Sequence, residues 1–288
     1  MYRVAVLLAA YNGKRWLTEQ LASILNQTGV SVDVFFSVDL SDDGTYEWCR
    51  YQQKIYSNVT VLGYGERFGG AARNFFRLIH DVEFSSYDYV ALADQDDIWM
   101  KKKLSYAIEV IKKNDSDAFS SDVIAFWQDN REKLVKKSYP QKRFDFFFEA
   151  AGPGCTYMFT VKSFQQFKLF LTLNWVDVNE VALHDWMIYS YYRSNNLKWM
   201  IDNKALMRYR QHADNQVGFN SGFKAASKRW ALVKDEWYFK EVNKIANLSN
   251  ADVKLELNRW FLIKNFFQLR RRPRDALALL IMIIIGLL

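Results

Sequence analysis

Hydrophobic and polar positions alternate in blocks whose period switches between strand-like and helical. "RVAVLLAAY" is a continuous apolar run closed by Asn12-Gly13, the pattern of a strand covered on both faces. "KRWLTEQLASILNQT" then sets Trp16, Leu17, Leu21, Ile24 and Leu25 on one helical face. "VDVFFSVD" predicts a second strand, "GTYEWCRYQQKIY" a helix and "VTVLGY" a short third strand. "GGAARNFFRLIHDV" reads as a helix, "YDYVALAD" as the fourth strand and "KKKLSYAIEVIKK" as the next helix. This rhythm with short connections predicts an α/β fold, a mostly parallel sheet with helices on both faces.

After about residue 118 the rhythm breaks. "DVIAFWQD" and "TYMFTV" look like strands on either side of a loop at Gly152-Pro153-Gly154, and "VALHDWMIYSYYRS" looks helical. From Phe223 onward the chain reads as aromatic, lysine-rich helices, with Trp230, Val233 and Trp237 on one face. The expected division is residues 1–220, a helical region 221–275 and an apolar tail 276–288.

Composition adds a few limits. The chain has 288 residues, half of them hydrophobic, enough for one large core. The net charge of +7 suggests an anionic partner, with nucleotides, nucleic acid and anionic lipid all open on charge alone; no nucleic-acid recognition motif is present. Two cysteines, Cys49 and Cys155, make no disulfide framework and suit a reducing compartment. The N-terminus reads as a core strand rather than a signal peptide. Arg270, Arg271, Arg272 and Arg274 precede the tail, which is shorter than the roughly 20 residues of a spanning helix. That order suits peripheral association with the inner face of the plasma membrane, arginines cytoplasmic. A buried terminal helix or an oligomer contact is the alternative.

In an open parallel sheet, ligands sit beyond the carboxyl ends of the strands. Ala9 to Asn12, Asp39 and Asp94 to Asp97 all follow strand ends and should share a cleft. Asp94 and Asp96 are two apart, so on extended backbone they face one side, where a hard divalent cation would neutralise them. The other reading is an acidic loop in which Asp97 caps a helix starting near Ile98. Asp39 reads as a nucleoside contact or as turn chemistry, and Arg67 and Arg73 as diphosphate contacts or a solvated face. His184-Asp185 sits in an apolar segment, where desolvation would raise a carboxylate's basicity and suit a general base; an ion pair or a helix cap is equally open. His212 follows a basic, strand-like stretch.

The ordered set "VAVLLAAYNG", "SVDLSDDGT", "GGAARNF", "ALADQDDIW", "GCTYMF", "HDW" and "YRQHADNQVG" resembles glycosyltransferase family 2, within it the bacterial rhamnosyltransferase-like members. The likeness covers about residues 2–220. It implies a GT-A fold, a nucleotide-sugar donor, a divalent cation (Mn2+ or Mg2+) and inversion at the anomeric carbon. By position, Ala9, Tyr11, Asn12 and Asp39 would frame the nucleoside, and Arg73 would lie near the diphosphate. Asp94, with Gln95, would approach the ribose or metal. Asp96 would ligate the metal with Asp94 and His212, and Asp185 would be the base. Three positions depart from the family pattern: Val38 replaces the first acid of an Asp-Asp pair, Leu40 a common Gly or Asn, and Ala9 a frequent Thr or Pro. The implied donor is dTDP-rhamnose, with a UDP-hexose second, and the implied acceptor a lipid-linked surface polysaccharide. A dinucleotide-dependent oxidoreductase is disfavoured because the first strand ends without G-x-G-x-x-G. A non-catalytic nucleotide-sugar-binding protein remains the other reading.

Overall fold

The computed structural model describes residues 1–212, 237–249 and 257–285. Strand β1 (Tyr2–Ala10) is buried from Val4 onward, and its period-two alternation divides the molecule into two cores. Val4, Val6, Leu8 and Ala10 pack with Leu17, Leu21 and Ile24 of α1 (Lys14–Leu25) and with Ile108 and Ile111 of α4 (Lys103–Asn114). Ala5, Leu7 and Ala9 face Phe75, Phe76 and Ile79 of α3 (Ala71–Asp81). Both faces are covered, which is why the strand reads as one apolar run.

β1 pairs in parallel with β2 (Val30–Val38) on one flank and β4 (Tyr89–Ala93) on the other. Helix α2 (Thr45–Ile55) leads from β2 to β3 (Val59–Val61) at one edge. Beyond β4 lie β9 (Met158–Thr160), β6 (Ala118–Ser121) and β10 (Trp199–Asp202), with β9 antiparallel to both neighbours. The expected mostly parallel sheet is therefore present. The chain winds outward from β1 to β3, then returns to lay β4 on the opposite flank of β1. That reversal opens a crevice at the carboxyl ends of β1 and β4.

A second sheet orders β5 (Ile98–Trp99), β11 (Met207–Arg210), β7 (Val123–Phe126) and β8 (Glu132–Val135). β5 occupies the place where sequence patterning put a helix start. Asp97 therefore caps no helix: α4 begins at Lys103, and Asp97 Oδ1 instead accepts the Arg210 amide at 3.2 Å.

The face of the main sheet bearing α3 is closed by α5 (Val161–Leu173), the short α6 (Trp175–Val178), α7 (His184–Ser194), α8 (Trp237–Ser249), α9 (Arg259–Leu269) and α10 (Pro273–Ile284). Trp237 opens α8, whereas the helical reading of Phe223, Trp230 and Val233 and the 220/221 boundary fall outside the described residues. The C-terminal segment divides its side chains. Ala276, Leu279 and Ile283 are buried, while Leu277, Ile281 and Ile284 stay exposed. Arg271 is buried against Asp145 and Glu149. No helix among the described residues is long and apolar enough to cross a membrane.

Candidate active site

The crevice is built first by backbone clamps. β1 leaves the sheet through Tyr11, Asn12 and Gly13, with Asn12 at a positive φ of 44°. Gln95, just past β4, accepts the Tyr11 amide at 2.8 Å and donates to the Tyr11 carbonyl at 2.9 Å. A Cβ on residue 13 would stand 2.0 Å from Gln95 Oε1, so only glycine lets this clamp close. Asn74 of α3 donates to the carbonyls of Ala10 and Ser37, binding the ends of β1 and β2. The Asn12 amide donates to Ser41 Oγ, and Asn12 Oδ1 accepts the Asp42 amide. Three strand ends far apart in sequence thereby become one rigid rim.

Ala9, Tyr11, Asn12, Asp39, Asp94, Gln95, Asp96, Asp185 and His212 all line one cleft of about 2000 Å3. Arg73 does not: its Nε donates to the Asn179 carbonyl and its Nη2 lies 3.5 Å from Glu180. Arg67, from the same glycine-rich stretch, lines the cleft instead.

The acids at the tip of β4 are crowded. Burial first, and then the Asp96 charge, push the Asp94 carboxyl up to about 7. Asp97, fully buried, is driven up by burial and by its two acidic neighbours. Asp94, Asp97 and Cys155 bring ligand atoms within 4.8 Å of one another. Lys103 lies beneath them, its ammonium 3.7 Å from the centre of the Trp99 ring, and burial lowers its pKa to about 8. Asp96 Oδ2 meets His212 Nε2 at 2.7 Å, and the His212 ring stacks on Trp16. Arg210 donates to the Asp96 carbonyl and pairs with Glu19, fixing the end of β11 against α1. A buried Asp94 carboxyl that holds its proton through burial and the neighbouring Asp96 charge fits a cation that would replace that proton. Asp94 and Asp96 both face the cleft, and carboxylate oxygens of this kind suit magnesium or manganese.

On the other rim of the cleft, Asp39 already has three donors. Its Oδ1 accepts the Leu40 and Phe68 amides, and Oδ2 accepts the Gly69 amide at 3.0 Å. The carboxylate thus orders the 68–69 loop over the cleft.

Asp185 and His184 open α7. Asp185 Oδ1 accepts the Trp186 amide, and burial raises the carboxyl to about 6. His184 stacks on Phe75, ring centres 4.1 Å apart, and burial lowers its pKa to about 3, so the ring is neutral. Gly154 makes room for this pair, since a Cβ there would lie 2.6 Å from His184 Nε2 and 3.2 Å from Asp185 Cβ.

Residues 5–170 match the family described as glycosyl transferase family 2. The chain belongs to that family. Among curated proteins it is 43% identical to the dTDP-rhamnosyl transferase RfbG of Shigella flexneri, across 97% of this chain and all of RfbG. It is 26% identical, over 54% of this chain and 58% of the relative, to WfgD of Escherichia coli, a UDP-Glc:alpha-D-GlcNAc-diphosphoundecaprenol beta-1,3-glucosyltransferase. Among solved structures it resembles S. aureus TarS 1-349 in complex with UDP-GlcNAc, with TM-score 0.55 and 15% identity, covering 96% of this chain and 83% of that TarS chain. The mannosyltransferase PcManGT from Pyrobaculum calidifontis, in complex with GDP-Man and Mn2+, aligns at TM-score 0.51 and 15% identity, over 99% of this chain and 86% of its own. The protein is a glycosyltransferase with the GT-A fold, as the motif order implied.

Sequence reasoning missed a whole wall of this glycosyltransferase. Lys136 and Lys137 line the cleft together with Arg270, Arg272 and Arg274 of the C-terminal segment. Lys137 is close enough to Asp185 for its charge to lower the pKa of that carboxyl. The only signal available beforehand was the density of basic residues, which was assigned to a membrane face. Trp16, counted as a core residue of α1, was also missed as the platform under His212.

Proposed function

We propose that this protein transfers rhamnose from dTDP-rhamnose, with inversion, to a hydroxyl of a growing bacterial surface polysaccharide carried on a lipid. The observation that carries this reading is the full-length 43% identity to RfbG, combined with nine predicted residues lining one cleft. The diphosphoundecaprenol acceptor in the name of WfgD supports the lipid-linked acceptor.

In this reading the donor's diphosphate lies against Asp94 and Asp96, which with His212 would hold a manganese or magnesium ion. The bound cation would neutralise charge that builds on the departing diphosphate. Gln95 and the β1 turn hold the donor rim in place. Asp185 accepts the proton of the acceptor hydroxyl as that oxygen bonds to the anomeric carbon and the bond to the diphosphate breaks. One displacement with one base inverts that carbon. The base must be ionised, so transfer rises with pH through about 6 and falls in more acidic solution.

The test is a panel of dTDP-rhamnose and UDP-hexoses, with Mn2+ or with a chelator, scored by product NMR. Inverted rhamnoside from the dTDP sugar alone, lost on chelation, is expected. Transfer from a UDP-hexose in preference would replace the donor assignment, and unchanged activity with chelator would remove the cation.

The same reading places the enzyme peripherally on the cytoplasmic membrane face. Leu277, Ile281 and Ile284 form an exposed i, i+4, i+7 stripe on α10, and Trp260 and Phe267 are exposed on the adjoining α9. Changing the three stripe residues to Gln should abolish flotation with anionic phospholipid vesicles while leaving turnover of a water-soluble acceptor intact. Undiminished flotation would remove the stripe as the contact.

A further inference from the structure

The cleft holds more positive charge than one donor diphosphate accounts for. Arg15 belongs to the donor end, since its guanidinium lies 4.6 Å over Trp16, the ring that stacks on His212 beside Asp96. Arg67 also belongs there, next to the 68–69 loop held by Asp39. The second basic group, Lys136, Lys137, Arg270, Arg272 and Arg274, lines the same cleft, and Lys137 brings it beside Asp185. Lys137 connects the two, because its charge interacts with Asp185 as well as with Arg271, Glu149 and Arg270.

This wall carries more positive than negative charge, its acids being Glu149 and Asp275. Asp145 is taken by Arg193 and Arg271, and Glu149 by Arg271 and more distantly Arg270. Among the described residues Lys136, Lys137 and Arg272 form no ion pair, and Arg274 has Asp275 at 3.8 Å. Buried Arg271 pins the segment between its two cleft-lining neighbours, so they are presented on a fixed backbone. Further along α10, Ala278, Leu279 and Met282 continue the same cleft as an apolar strip. At 1.5 Å per residue that strip begins ~6 Å beyond Arg274 and reaches ~12 Å beyond it.

We propose that this wall is a second anion site, which takes the phosphate or diphosphate ester joining the acceptor glycan to its apolar alcohol. The apolar chain runs along Ala278, Leu279 and Met282. The inference rests on the acceptor-side reading of Asp185 given above: the ligand beside the base is the one whose hydroxyl reacts. Guanidinium groups bind phosphate oxygens in pairs and need no cation, which separates this site chemically from the carboxylate-lined donor end.

The test titrates farnesyl diphosphate and inorganic pyrophosphate into the full-length protein held in saturating dTDP, which blocks the donor diphosphate position. The wild type should bind both, the farnesyl ester more tightly. Arg272→Gln/Arg274→Gln, two exposed positions, should bind both about tenfold or more weakly, through loss of charge-assisted contacts. Met282→Gln should reduce only the farnesyl advantage. Displacement of both probes by dTDP, or wild-type affinity in the double variant, would overturn the site. Equal affinity of the wild type for the two probes would overturn its apolar half. A separate dTDP titration reads the donor assignment: failure of dTDP to bind counts against that assignment alone, and the double-variant comparison still decides the acceptor site.

Discussion

Asp185→Asn should lose transfer by about 10²–10⁴-fold, the range expected of the proposed general base, while donor binding persists. Loss of folding would not explain such a result, because the substitution is expected to stabilise the protein. The Asp185 carboxyl titrates near 6 in the folded chain against 3.8 for a free aspartate, so folding binds its proton more tightly than the unfolded chain does. Its contribution is therefore fully present below pH 3.8 and lost as pH rises through about 6. Asparagine keeps the Oδ1 that accepts the Trp186 amide and removes the buried charge. At pH 8 the variant should be more stable by on the order of 2–3 kcal/mol, and below pH 4 it should match the wild type. Urea unfolding at the two pH values, beside product assays, checks both halves. An active variant rejects Asp185 as the base, and a destabilised one rejects the desolvated carboxylate.

Arg271→Met should be the most damaging single change in the C-terminal segment. The Arg271 side chain is 3% exposed, its Nη1 is 3.2 Å from Asp145 Oδ2, and its Nη2 donates to the Ala150 carbonyl at 2.6 Å. Removing it leaves Asp145, which is 0% exposed, with Arg193 and Tyr189 alone. Breaking a buried pair in this way costs about 3–5 kcal/mol, on the order of 10 °C in melting temperature. Arg272→Met, one residue on and exposed, should stay within about 0.5 kcal/mol of the wild type. Differential scanning calorimetry of the two variants decides the point, and equal melting temperatures would show that Arg271 carries no buried charge pair.

Much of the architecture was legible because burial on two faces leaves an unmistakable pattern. The unbroken apolar run of β1 and the single apolar face of α1 followed directly from period and composition. The convergence of strand-end residues in one cleft followed from the parallel topology, not from any single motif. Asp97 misled because an acid ahead of a helix-forming stretch has the look of a cap; its actual donor, the Arg210 amide, is 113 residues away. Two strands of the second sheet were legible, β7 in "DVIAFWQD" and β11 in the stretch before His212, but β5 with two residues and β8 with four are too short for a period to appear, and no local pattern shows that the four pair as one sheet. Arg73 and Arg67 were indistinguishable in sequence, and only the path of the chain into α3 turned one toward Asn179 and the other toward the cleft.

Local order along the chain was enough to set the alternating strands and helices, the parallel sheet and the family's acids at the strand ends, since these depend on periodicity and on neighbours in sequence. Which of four arginines in "RRRPR" would be buried was settled by Asp145 and Glu149, more than a hundred residues upstream. So was the role of the whole terminal segment, as a wall of the cleft as well as an apolar surface. Charge is written locally, but the cost of burying it depends on the partner that tertiary folding brings, and no stretch of sequence carries that partner with it.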